Sequence, residues 1–311
     1  MKKLFLTLSA LVLSVGLMSA QDLSQATETY NNGATAHSAG EKASALEYFQ
    51  NALKQAEACG EEGAEIAANC KNVIPTIGLS IAKDLVKAEE YDNAVAKLAD
   101  AVKLAEQYGA EEVVAEAKTL VPQVQMLKGA ALLNAKDYAG AVAAYQAVVD
   151  ADPANGVAAL RLGMALTGAG KNADAVKAFE AAAANGQAAT ANKQLANIYL
   201  KDAAAALKDK KYADAYAAAV KVNEYAENAQ AYLVAGQSAQ QLKKNNDAIS
   251  NFEKYLELSP TAKNAPAITF TLAAIYQQAG NKAKALENYK KVAADATYGA
   301  QAKQQIDALS K

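Results

Sequence analysis

The stretch LGMALTGAGKNADAVKAFEAA, residues 162–182, decides the fold. In it Gly163 is followed by Ala175, Phe179 and Ala182, at offsets of 12, 16 and 19. The same offsets recur from Gly33, Ala82, Gly129, Ala203, Gly236 and Ala273, each time a small residue, an alanine, a mostly large residue and a small or branched one. In the sixth unit, from Gly236, the last of these is Tyr255. The alanines at the second position are spaced by 33 to 49 residues, a period that marks a solenoid rather than a globular enzyme core.

The offsets carry a physical reason. Residues four and three apart share one helical face, so Ala175, Phe179 and Ala182 form a stripe on the second helix of a unit. Gly163 lies on the preceding helix, where the missing side chain lets the second helix approach. Two short amphipathic helices cannot bury their apolar faces alone, and stacked neighbours supply the remaining contacts. The expected fold is all-α, an αα-superhelix of seven helical hairpins closed by a C-terminal capping helix. Composition agrees: 52% of residues are apolar, much of that alanine, with 6% aromatic and no Trp. Alanine-rich helices pack at close range and bury little area each, which suits thin stacked layers.

Outward from the repeats, the first 20 residues form a separate region. Lys2 and Lys3 precede an apolar run from Leu4 to Leu17, and Ser19–Ala20 stands before Gln21. This is the layout of a cleaved secretory leader over residues 1–20, and the run falls short of the roughly 20 residues a membrane span needs. The mature chain is therefore expected to be exported, periplasmic or else extracellular, without stable membrane insertion. Loss of Lys2 and Lys3 takes the formal charge from −2 to −4. Cys59 and Cys70 are the two cysteines, and an even pair in an oxidising compartment is expected to form a disulfide across the turn CGEEG at 59–63. The alternative is a pair of thiols acting as small hydrophobes.

Two kinds of repeat divide the rest. Residues 70–98 realign on 117–145 with a shift of 47, superposing Lys71 on Lys118, Pro75 on Pro122, Tyr91 on Tyr138 and Ala94 on Ala141. Both prolines are expected to kink the first helix or to end a short one before it. Residues 21–153 thus hold three long or degenerate repeats, and residues 154–311 hold four shorter ones plus the cap. The turns within the hairpins are polar, as in EEYDN at 89–93 and GKNAD at 170–174, and supply Asp and Asn for helix starts.

On these residues the chain resembles the tetratricopeptide-repeat family. Leu162–Gly163, Leu166, Ala175, Phe179 and Ala182 match its pattern in the fourth unit, as do Gly129, Leu132, Ala141, Tyr145 and Pro153 in the third. Gly236, Ala248, Phe252, Tyr255 and Pro260 match in the sixth, and Leu272–Ala273, Tyr276, Ala285, Tyr289 and Val292 in the seventh. Asn32 and Ala219 depart from it in the first and fifth units. The resemblance implies a binding groove along the inner faces of the first helices. It falls on Tyr30 in the first unit, Leu79, Lys83 and Lys87 in the second, and Met126 and Asn134 in the third. Leu160 and Met164 follow in the fourth, Asn197 and Leu200 in the fifth, Gln237, Gln240 and Gln241 in the sixth, and Phe270, Gln277 and Gln278 in the seventh. Long aliphatics, Met and Gln in one groove suit a protein or peptide ligand.

Catalysis finds no support in the sequence. His37, the sole histidine, adjoins Ser38, and consecutive helical residues do not face each other. Gly170–Lys171–Asn172 lacks the first Gly and the final Ser or Thr of a phosphate loop. Acidic pairs such as Glu89–Glu90 fall at turns and early helix positions, and lysine pairs such as Lys243–Lys244 stand apart in the sequence. No catalytic residue, cofactor, metal or nucleic acid is expected. The reading is a non-catalytic protein-interaction scaffold of the bacterial envelope, with an envelope glycan or small-ligand binding protein as the alternative.

Overall fold

A computed structural model describes residues 20–310, so the expected leader lies outside the described residues apart from Ala20. The chain divides into two compact units, Met1–Pro153 and Ala154–Lys311. The first contains α1 (Ala20–Ser38), α2 (Lys42–Ala58), α3 (Ala64–Lys87), α4 (Tyr91–Tyr108), α5 (Glu111–Asn134) and α6 (Tyr138–Ala151). The second contains α7 (Gly156–Gly168), α8 (Asn172–Ala182), α9 (Ala188–Lys208), α10 (Tyr212–Tyr225) and α11 (Ala229–Gln241). It continues with α12 (Asn245–Leu258), α13 (Ala265–Gln278), α14 (Lys282–Lys291) and α15 (Gly299–Ser310). Within each unit every helix packs on its predecessor and successor, which makes seven hairpins and a terminal helix, as the repeat spacing predicts.

The cores follow the layers instead of one centre. In the first unit Phe49, Ile66, Cys70 and Ile74 gather one cluster, and Leu98, Val113 and Val124 another. In the second unit Ala203, Ala215, Ala219 and Val234 form a thin layer, and Phe252, Leu272 and Tyr289 a thicker one. The thin layer sits in the degenerate fifth repeat, where Ala219 stands at the aromatic position.

The glycine of the repeat faces the aromatic ring of its own hairpin. A Cβ on Gly163 would lie 2.6 Å from the Phe179 ring, on Gly236 2.6 Å from Phe252, on Gly129 2.7 Å from Tyr145, and on Gly33 3.2 Å from Phe49. Where alanine replaces the glycine, at Ala82 and Ala203, the opposing residue is Leu98 or Ala219 and no ring needs the space. Ala273 is the exception, opposite Tyr289.

All seven hairpin turns share one backbone conformation. Gly40, Glu89, Lys136, Gly170, Lys210, Lys243 and Gly280 have φ between 58° and 81°. Each lies five residues before the alanine of its repeat. The next residue donates its amide back to a carbonyl five residues earlier, as Lys171 to Leu166 at 2.9 Å and Glu90 to Leu85 at 2.9 Å. This closes the first helix of the hairpin as a Schellman turn. Four of the seven residues are not glycine, which is why the pattern escapes a search for Gly at helix ends.

Two local expectations are corrected. α3 and α5 run unbroken through Pro75 and Pro122, so neither proline ends a helix. Among the described residues, Asp137, Asn155, Asn228 and Asn281 cap their helices by accepting from the amide three residues on at 2.9–3.1 Å, and Asp295 accepts likewise from Tyr298 at 2.9 Å just before α15. The other hairpins place Glu41, Glu90, Lys171, Lys211 and Lys244 at the start of the second helix with no side-chain cap.

Gly163→Ala is expected to cost about 1–3 kcal/mol in denaturant unfolding, because the fully buried Phe179 ring has no space to retreat into. In a Phe179→Leu background the same change should cost less than half as much, reproducing the pairing of Ala82 with Leu98. Strictly additive effects of the two changes would reject the ring contact as the cause.

Candidate functional site

The groove positions fall on the first helices of the hairpins, and packing sorts them. In the first unit Tyr30 is buried and meets Phe49 edge-on with ring centroids 5.3 Å apart. Leu79 is buried in the cluster around Leu98. Lys83 on α3 reaches Glu116 on α5 at 2.6 Å, tying two first helices together. Lys87 pairs with Asp84 at 3.1 Å, and Asp84 also bonds Lys42, so two ammonium groups hold that carboxyl below its usual range. Met126 is half-buried and Asn134 exposed.

In the second unit Leu160 is buried, Met164 and Leu200 are half-buried, and Asn197 is exposed. Phe270 packs edge-on against Tyr289 at 5.3 Å and tilts over Tyr298 at 5.5 Å. The Gln277 side-chain oxygen accepts from the Tyr289 hydroxyl at 2.8 Å, and its amide donates to Gln305 of α15 at 3.3 Å. Tyr30, Leu79, Leu160, Phe270 and Gln277 are therefore packing residues rather than groove lining. Their stripe faces the neighbouring helix or, at the end of the array, the capping helix.

What remains open is a polar row. Gln237, Gln240 and Gln241 on α11 lie at i, i+3 and i+4 and share one face. Gln237 is half-buried, Gln240 and Gln241 are exposed, and none makes a side-chain hydrogen bond to another described residue. α11 packs beside α9, which carries Asn197 and Leu200. Gln278 on α13 is likewise exposed.

Tyrosines tie the second unit's hairpins to one another, a role that their positions in the repeat do not announce. Tyr199 and Tyr225 stack with centroids 5.9 Å apart and planes within 6°, and the Tyr225 hydroxyl donates to Glu180 of α8 at 2.9 Å. Burial first, then the Glu180 carboxylate, pushes that hydroxyl up to about 12. The Tyr276 hydroxyl donates to Glu253 at 2.6 Å, and burial followed by that carboxylate raises it also.

In the first unit, Thr29, Tyr48, Asn51, Lys54 and Gln55 line an open cleft of about 550 Å³ between α1 and α2. Tyr48 is 40% exposed there, and the Gln55 side-chain oxygen is buried with no hydrogen-bond partner. Near the end of α1, the Ser38 hydroxyl donates to the Ala34 carbonyl at 2.9 Å, which turns it back to its own helix and away from His37. Among the described residues no cluster of three or more His, Cys, Asp or Glu is placed to hold a metal ion, and no helix is long and apolar enough to cross a membrane.

Cys59 and Cys70 are both free thiols, which corrects the expected disulfide. Cys59 caps the C-terminus of α2, whereas Cys70 lies six residues into α3, a rise of about 9 Å, and is fully buried among Ile66, Val73 and Ile74. Burial pushes the Cys70 thiol up to about 12. Burial, then Asp22 and Glu62, raises Cys59 as well.

Tetratricopeptide-repeat family models match residues 79–156 and 229–261. A crystal structure of the MamA protein aligns over 58% of this chain and 94% of its own, at 21% identity and a TM-score of 0.35. MamA AMB-1 in crystal form P212121 aligns over 54% and 94%, at 27% identity and a TM-score of 0.31. A structure of Pseudomonas aeruginosa pilF aligns over 59% and 80%, at 18% identity and a TM-score of 0.30. No curated protein matches the chain.

Alkylation of the native, unreduced protein near neutral pH is expected to label Cys59 slowly and to leave Cys70 unlabelled. Unfolding without reductant should then expose a second reactive thiol. Mass spectrometry counts the labels, and a chain that takes none after unfolding would restore the disulfide.

Proposed function

We propose, from the premise that this chain is a tetratricopeptide-repeat protein, that it is an exported, non-catalytic scaffold that holds a partner protein or peptide along its first helices. The observation that carries the reading is the exposed amide row Gln237, Gln240 and Gln241. A side-chain amide both donates and accepts, so a row of them can follow the alternating N–H and C=O groups of a bound peptide backbone. Asn197 and Gln278 extend the polar surface on α9 and α13, and Met164 and Leu200 offer adaptable apolar contact. The surface is polar enough to stay soluble when empty, which suits a reversible interaction.

The export part of the proposal rests on the leader-like pattern of residues 1–20, which supports a periplasmic or extracellular location. A second reading, small-ligand or glycan binding, has its own observation in the cleft between α1 and α2. There an exposed tyrosine face stands beside a buried, unsatisfied Gln55 oxygen, the kind of orphan acceptor that a ligand hydroxyl would satisfy.

Mass spectrometry of protein taken from its native source should give a chain that begins at Gln21, and recovery of Met1 would reject export. For the binding face, a variant carrying Gln237→Glu, Gln240→Glu and Gln241→Glu should keep its helix content and melting temperature. Crosslinked recovery of its protein partner should fall by about tenfold or more, as three added charges oppose docking. Unchanged recovery would reject the amide row. Binding of glycan fragments that is lost in Tyr48→Ala would favour the second reading.

A further inference from the structure

The two units carry opposite charge. Residues 21–153 contain 20 acidic residues against 10 lysines, net −10, whereas residues 154–311 contain 13 acidic residues against 19 Lys and Arg, net +6. The chain total of −2 hides this, and so does the spacing of the lysine pairs. In a stack of antiparallel helix pairs, every first helix points the same way. The turns inside the hairpins of one unit therefore come to one edge, and the connections between hairpins to the other.

On that edge one position changes sign between the units. The residue after the left-handed turn residue is Glu41, Glu90 and Asp137 in the first unit, and Lys171, Lys211, Lys244 and the neutral Asn281 in the second. Its backbone geometry is the same throughout: it starts the second helix and sends its amide to the carbonyl five residues earlier, at 2.8–2.9 Å. Folding does not select the sign. The position sits at once at the positive end of the second helix and just past the negative end of the first, so the two macrodipoles oppose each other there. Most of the charged flanking residues follow the same contrast. Glu89 adds to the acidic edge and Lys210 and Lys243 to the basic one, while Lys136 puts one positive charge on the acidic edge; all four non-glycine residues occupy the left-handed conformation that disfavours them.

These charges are free to act outward. Glu41, Glu89, Lys171, Lys210, Lys211 and Lys243 are exposed, and none forms an ion pair with another described residue. Lys244 stands 5.2 Å from the centre of the Tyr216 ring. The basic edge also carries acids: Asp174 pairs with Lys177 at 3.5 Å, Asp247 engages Tyr216, and Asp209 and Asp214 are exposed.

We infer that the chain self-associates through these turn edges, the acidic edge of one copy's N-terminal unit docking on the basic edge of another copy's C-terminal unit. A second copy fits because both edges are built from the same hairpin. Charges of opposite sign then recur at the same place in each layer, so several pairs can meet in one register. Such contacts act through steering and specificity and weaken as salt rises. This surface adjoins the amide row at the end of α11, where the Lys243 amide donates to the Gln240 carbonyl at 3.0 Å.

The test uses sedimentation velocity on the mature chain. Wild type should form larger species that grow with protein concentration at about 20 mM salt, and revert to monomer at about 500 mM, where the screening length is roughly 4 Å. Two charge-reversal variants, Glu41→Lys with Glu89→Lys and Glu90→Lys, and Lys171→Glu with Lys211→Glu and Lys244→Glu, should each be monomeric with unchanged helix content. Mixing them should restore association, because each now offers the edge that the other lacks. A wild type that stays monomeric at every salt and concentration would overturn the proposal. So would a mixture that fails to associate, or a basic edge that responds only to an added polyanion such as polyglutamate.

Discussion

The contact on which the rest of the structure depends is the one between a glycine on the first helix of a hairpin and an aromatic ring on the second. At Gly163 and Gly236 a single added carbon would fall 2.6 Å from the ring, well inside van der Waals contact. That clearance sets how closely the two helices approach, and the approach fixes which residues of the second helix remain available to the next hairpin. Ala82 with Leu98, and Ala203 with Ala219, show the same constraint solved with a smaller partner. The fifth repeat gives up ring burial for this and has a thin core layer, which the stacked Tyr199 and Tyr225 and the Tyr225–Glu180 hydrogen bond help to join to its neighbours.

The hairpin turn is the second constraint. Because one residue takes a left-handed conformation in every turn, the first helix is closed by its own backbone and no side chain is needed to finish it. This releases the turn residues from a folding role. Their charge can vary from repeat to repeat at little cost to the hairpin, and at the residue after the left-handed one it is acidic in the first unit and basic or neutral in the second. A surface whose chemistry is not fixed by the fold is where a repeat protein can place recognition, and here both the amide row of α11 and the turn edges qualify.

Function in such a chain rests on surfaces, because a stack of thin layers offers broad faces and open clefts in place of a deep pocket. The packing that sorts Gln237, Gln240 and Gln241 from Phe270 and Gln277 is therefore the central fact about the candidate site. The last two belong to the junction with α15, where a ring and an amide close the end of the array. Capping helices in solenoids serve to cover the apolar face that has no further neighbour.

Helix type, the number of hairpins and the glycine-to-ring register were legible in the sequence, because each is set by offsets within about 20 residues and by the 3.6-residue turn of the helix. The prolines at 75 and 122, the cysteine pair and several groove residues were not. Whether Pro75 breaks a helix depends on the turns that pack around it, and whether two cysteines meet depends on how far α3 rises before Cys70 points into the core. Tyr30, Leu79 and Leu160 lie on faces that the sequence marks only as one side of a helix. Each such face has two candidate neighbours, the partner in the hairpin and the adjacent repeat, and only the three-dimensional stack decides which covers it and which side is left to solvent. The alignment of Lys171, Lys211 and Lys244 on one edge is of the same kind: residues 33 to 40 apart are brought to one edge solely by the repetition of the hairpin.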